Sequence, residues 1–171
     1  MRYSKGFTLI ELLVVLMIIG LLAALSLPAV SQQLALIRLT RVLDQAAMLF
    51  RQGQSFAIAA NREVIVSQGL GENWCLALTT DVCDCTDAAD CTRMTSTPAM
   101  TSPAFSGVTL ASSTFSPASH SRFMAATGSP AGHTGSLTFS SGDLTGRLVL
   151  SHQGRIRVCL EDLTLGNYPA C

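Results

Sequence analysis

The chain has 171 residues, 49% of them apolar and 13% charged, with 11 basic side chains against 11 acidic ones. That neutral balance excludes a generally basic nucleic-acid-binding domain, so any anion-binding surface must be local. The 6 cysteines are an even number, which in an exported domain reads as a disulfide framework.

Residues 7–27 form an apolar run that contains a single carboxylate, Glu11. As a helix the run covers about 32 Å, enough to cross a bilayer core. An unpaired charge inside such a run is costly, so Glu11 reads as a functional group. Arg2 and Lys5 precede the run and place residues 1–6 on the cytoplasmic side and the rest outside. The run is too long for a cleaved secretory signal, and Ser26-Leu27-Pro28 is a poor cleavage site. Pro28 removes a backbone donor where a helix would otherwise continue, which predicts a kink or local melting there. The helical period then resumes. Val30, Leu34, Ile37, Val42, Ala46, Leu49, Phe50, Phe56, Ala57 and Ala60 share a broad face, while Arg38, Arg41, Asp44, Gln45, Arg51 and Gln52 largely fill a solvated one. The pattern predicts one long helix, membrane-embedded over 7–28 and amphipathic over 29–61.

Composition changes after Asn61. Residues 62–171 suffice for one small core. Short β-prone runs recur at 63–67, 74–80, 107–110, 121–126, 135–139, 147–151 and 155–160, separated by turn residues. They predict an antiparallel β head packed against the second half of the helix, an α+β fold. Cys75, Cys83, Cys85, Cys91, Cys159 and Cys171 all lie in this head. Their even number reads as a disulfide framework, since C-x-C-x5-C is poor zinc spacing and no histidine lies among the first four. Cys159 and Cys171 are expected to tie the C-terminal tail to the last strand. The other four allow three pairings, of which the one joining Cys83 to Cys85 is strained.

Residues 151–159, SHQGRIRVC, stand out in the head. Ser-His-Gln-Gly between two β-prone runs reads as a hairpin turn. Alternation sends Ile156, Val158 and Leu160 to one face and Arg155, Arg157 and Cys159 to the other. Two arginines two strand positions apart stand about 6.6–6.8 Å from each other. That is close to the spacing of neighbouring phosphates, so both could grip a nucleic-acid backbone without reading its sequence. His152 and Gln153 in the turn and Arg147 on the preceding strand are candidate additional contacts. The signatures of acyl hydrolases, phosphate-binding loops and zinc proteases are missing, so no catalytic residue, metal or cofactor is expected. His120, His133 and His152 stand far apart in sequence and read as isolated surface groups. Trp74 reads as core.

The run GFTLIELLVVLMIIG, with Gly6, Phe7, Thr8, Leu9, Glu11 and then Pro28, resembles the type IV pilin superfamily, which includes the type II secretion pseudopilins. The resemblance implies a pilin fold and a leader, residues 1–6, cleaved after Gly6 by a prepilin peptidase. It also implies N-methylation of the new terminus at Phe7. In a filament, Glu11 of an incoming subunit would pair with the Phe7 amine of a neighbour. Other major and minor pilins are the implied partners. The implied location is the inner membrane in a single pass, with the head in the periplasm, and then the extracellular pilus. The Gly154–Arg157 tetrad, GRIR, is similar to the Gly-Arg-x-Arg motif of the FimT branch of the minor pilins, whose heads are of the GspH/FimT type. Members of that branch have been linked to DNA capture in natural transformation. The resemblance implies that Arg155 and Arg157 contact the DNA backbone and that Gly154 lets the turn bend. The alternative expectation is an assembly-priming minor pilin, or a GspH-like pseudopilin of type II secretion, that binds no DNA.

Overall fold

The computed structural model describes residues 8–87, 91, 99–115, 120–161 and 168–171, with the side chains of 25–29 also left undescribed. Gly6 and Phe7, with the expected cleavage and methylation positions, lie outside the described residues. The chain divides into two compact units, 1–34 and 35–171.

One α-helix, α1, runs over Leu9–Ala59 and crosses that division. The helical backbone continues through position 28, so the local melting expected at Pro28 does not occur. The helix starts where Thr8 caps it. The Thr8 hydroxyl accepts the Glu11 amide N–H at 3.3 Å, half of the Thr-x-x-Glu capping box that these two residues spell. Glu11 also places a carboxylate in the first turn, where it complements the helix dipole. The helix ends before Asn61, which takes a left-handed φ of 48°, a conformation asparagine adopts more readily than most residues.

In the first unit, Leu9, Ile10, Leu12 through Ile19, Leu21 and Leu22 are all exposed. A helix apolar on every side is stable in water only when something covers it. Among the described residues no helix is long and apolar enough to cross a membrane. The sequence run itself continues through Leu25 and Leu27, whose side chains are not described.

In the second unit the α1 side chains Leu39, Val42, Leu43, Ala46, Leu49, Phe50 and Ala57 are buried. They belong to one core with residues from two antiparallel sheets. The strands are β1 (Val64–Gly69), β2 (Cys75–Thr79), β3 (Met100–Thr101), β4 (Thr109–Ser113), β5 (Ser121–Phe123), β6 (Gly135–Ser141), β7 (Leu144–Leu150) and β8 (Ile156–Leu160). One sheet has the order β3-β2-β1-β5 and the other β4-β6-β7-β8. All seven β-prone runs became strands. β3 and the 3-10 turn after it, Ser102–Ala104, carried no such signal.

The core joins both sheets through aromatic contacts. Phe50 packs on Phe115 and edge-on against Phe123, and Trp74 meets Phe105 and Phe139. Trp74 is fully buried and donates its indole N–H to the Val108 carbonyl at 2.8 Å, so it is a core residue. The helix comes so close to β7 that a Cβ at Gly146 would lie 2.6 Å from the Leu43 side chain. Cys75 pairs with Cys85, Cys83 with Cys91 and Cys159 with Cys171.

Candidate nucleic-acid interface

β7 and β8 form the hairpin on which the sequence placed its candidate residues. Their register sets Leu150 opposite Ile156, Val149 opposite Arg157 and Arg147 opposite Cys159. Leu148, Leu150 and Leu160 face the core and are buried, and Ile156 and Val158 are packed against it. Arg155 and Arg157 therefore point away from the core, and both are exposed. β8 is the last strand of its sheet. The C-terminal tail meets its far end, where Leu160 donates to the Pro169 carbonyl and accepts from the Cys171 N–H, both at 3.0 Å. The end that carries the arginines is free of any neighbouring strand among the described residues.

The turn between the strands is tightly bonded. The Gly154 N–H donates to the Ser151 carbonyl at 2.9 Å, and the Ser151 N–H donates to the Arg155 carbonyl at 3.0 Å. The Ser151 hydroxyl accepts the Arg155 N–H at 3.1 Å. Gly154, the last residue of the 151–154 turn, has φ of +77°, as the third residue of a three-residue hairpin loop does. Gly154 is also buried, because the turn lies against α1. Gln54 Nε2 donates to the Gly154 carbonyl at 3.3 Å and to the Gly128 carbonyl at 3.2 Å. His152 and Gln153 are exposed at the tip of the turn.

Arg147 is placed differently. It faces the same side as Arg157 but is ion-paired with Glu161, whose other carboxylate oxygen accepts from Thr145 at 3.1 Å. Its charge is already matched within the head. Arg155 and Arg157 make no ion pair among the described residues. Two exposed guanidiniums thus stand together near the start of β8 with no ion pair among the described residues. Ser151 opens the run that the sequence singled out, whereas Gln54, whose amide bonds the turn from α1, carried no motif. Among the described residues no cluster of three or more metal-binding side chains occurs.

The histidines correct the sequence reading. His152 is a surface group, but His120 is buried and stacks on His133 with ring centroids 5.3 Å apart. The chain turns back after β5 and brings together two rings that are thirteen positions apart in sequence. Burial, then the proximity of His133 and Arg122, holds the His120 imidazole below the usual histidine value of about 6.5, with Glu63 opposing. Its folded-state pKa lies below its unfolded one. The stabilisation is therefore complete above about pH 6.5 and is lost as pH falls from there through the folded-state value. The melting temperature should fall further between about pH 7 and pH 5 in the wild type than in His120→Phe. Equal falls in the two proteins would clear His120 of that role.

An N-terminal apolar helix with a carboxylate in its first turn, followed by a helix-backed, disulfide-bonded β head, defines a pilin-like protein. Residues 1–27 match the prokaryotic N-terminal methylation motif. Residues 43–159, more than half of the chain, match the type II transport protein GspH, and the chain belongs to that family. It is 39% identical over 67 residues to a fimbrial protein of Pseudomonas aeruginosa, covering 39% of this chain and 43% of that one. It is 49% identical over 47 residues to fimbrial protein Q and to the type IV major alpha-pilin of Moraxella bovis, covering 28% of this chain and 30% of each. The chain thus matches less than half the length of these curated relatives. No solved structure matches it.

Proposed function

We propose that the protein is a minor pilin whose head binds extracellular DNA through phosphate contacts, independent of sequence, for uptake in natural transformation. The observation that carries this reading is the pair of exposed arginines, Arg155 and Arg157, at one end of β8, with neither an ion pair nor a neighbouring strand on that side among the described residues. Backbone positions two residues apart on an extended segment stand about 6.6–6.8 Å from each other, a spacing that suits forked guanidiniums gripping successive phosphates. His152 and Gln153 add contacts from the turn, Gly154 shapes it, and Arg147 supports the hairpin through Glu161.

The N-terminal segment supplies assembly. The leader is removed after Gly6 by a prepilin peptidase and Phe7 is methylated. The protein waits in the inner membrane in a single pass, head in the periplasm, until other pilins draw it into the pilus. There Glu11 pairs with the Phe7 amine of a neighbour, which turns a costly charge into a register device. The role is structural and binding, with no catalysis.

A second reading is favoured by the family match: a GspH-like subunit that primes assembly and binds no DNA. Titration of the full chain in nonionic detergent with short duplexes at several salt concentrations separates the two. If two phosphates are engaged, log K should fall against log salt with a slope of about −1.8. Arg155→Gln with Arg157→Gln should bring binding and slope close to zero with the melting temperature unchanged. Undiminished binding in that double variant would sink the DNA reading at this site.

A further inference from the structure

We infer that Gln54, on the helix, is the positioning residue that fixes the arginine hairpin in place by clamping it to the loop between β5 and β6. The two hydrogens of one amide nitrogen point in different directions, so the group can donate to two acceptors at once. Here Nε2 reaches the Gly128 carbonyl at 3.2 Å and the Gly154 carbonyl at 3.3 Å, across sequence separations of 74 and 100 residues. Both oxygens belong to segments without a strand partner, so Gln54 supplies bonds that a sheet would otherwise supply.

The fit around this amide is close. A Cβ at Gly154 would stand 2.7 Å from Gln54 Nε2 and 3.6 Å from Pro130 Cδ. A Cβ at Gly128 would stand 2.9 Å from Gln54 Cγ and 3.0 Å from the Ile58 side chain. The missing side chains of two glycines therefore make the space that the amide occupies. The loop is itself firm, since Met124 donates to Ser129 and accepts from Gly128, both at 2.9 Å. Gln54 thus ties the turn to a rigid neighbour one residue before Arg155.

The consequence for binding rests on the DNA reading, whereas the clamp itself does not. Gln54→Met keeps the length of the side chain and removes both donors. Hydrogen exchange of the full chain in detergent, followed by mass spectrometry, reads the clamp. Each lost hydrogen bond corresponds to about a fivefold change in local opening. Exchange in the peptides covering 124–134 and 151–157 should therefore rise by about fivefold or more, with β1 and β2 unchanged. Unchanged exchange in either peptide would overturn the clamp, whatever the protein binds. Duplex titration reads the consequence: affinity should fall about fivefold, with a shallower salt slope because the arginines no longer engage two phosphates together. A loosened turn with wild-type affinity and slope would overturn the positioning role. A wild type that binds no duplex fails the DNA reading, and the exchange result alone then decides the clamp.

Discussion

Replacing Gly154 with valine should lower the melting temperature of the head by roughly 8–15 °C and remove most of its DNA affinity. Two costs combine. Gly154 sits at φ of +77°, where a β-branched residue loses about 1–2 kcal/mol through the clash of its Cβ with the backbone. The new Cβ would also lie 2.7 Å from Gln54 Nε2. That nitrogen ends a flexible side chain, so it would move rather than force the backbone apart. In moving it would give up its bonds to the Gly128 and Gly154 carbonyls, worth about 1 kcal/mol each. The sum is about 3–4 kcal/mol, which a small domain feels strongly. Gly154→Asn separates the two costs, because asparagine tolerates the left-handed region but still collides with Gln54. It should fall between valine and wild type. Calorimetry and duplex titration read the two effects, and a Gly154→Val protein with wild-type stability would contradict the turn geometry.

Much of the fold was legible because its signals are local. Alternation between core-facing and outward residues needs only a few positions, and it marked β8 together with the faces of Ile156, Val158, Arg155 and Arg157. β3 was missed because a pair of residues, Met100 and Thr101, is too short to show a period. The cap at Thr8 was legible in the Thr-x-x-Glu pattern that it forms with Glu11. Arg147 could also have been placed. A turn at 151–154 puts residue 147 opposite 159, which leaves Glu161 on the same face one diagonal step away.

Contacts that join distant segments left no local trace. The pairings Cys75–Cys85 and Cys83–Cys91 required three-dimensional placement to choose among three possibilities. The stacking of His120 on His133 depends on how the chain returns after β5. Gln54 looks like any polar residue on the helix, and its role appears only once Gly128 and Gly154 arrive beside it. The two chemical features were therefore visible as residue types, and what holds them in position was not.

Breaking Cys159–Cys171 by replacing both residues with serine should destabilise the head strongly and leave the arginine hairpin working. The bridge closes a short loop with a sequence separation of 12, for which chain-entropy arguments give about 3 kcal/mol. It also holds the tail in place, where Leu160 bonds Pro169 and Cys171, and Tyr168 donates to the Asp44 carboxylate at 2.6 Å. A freed tail uncovers the end of β8 and exposes more unpaired strand edge, so aggregation should rise with the loss of stability. Tyr168 reports the release directly. Burial, followed by its bond to Asp44, pushes its phenol up to about 12. In the double variant its absorbance titration should return toward about 10. The melting temperature should drop by roughly 8–11 °C. Duplex affinity should stay within about twofold, because the turn at the other end of β8 is held by Gln54 and Ser151 rather than by the tail. An affinity that collapses with the disulfide while the hairpin exchange rates stay unchanged would move part of the binding surface onto the C-terminal tail.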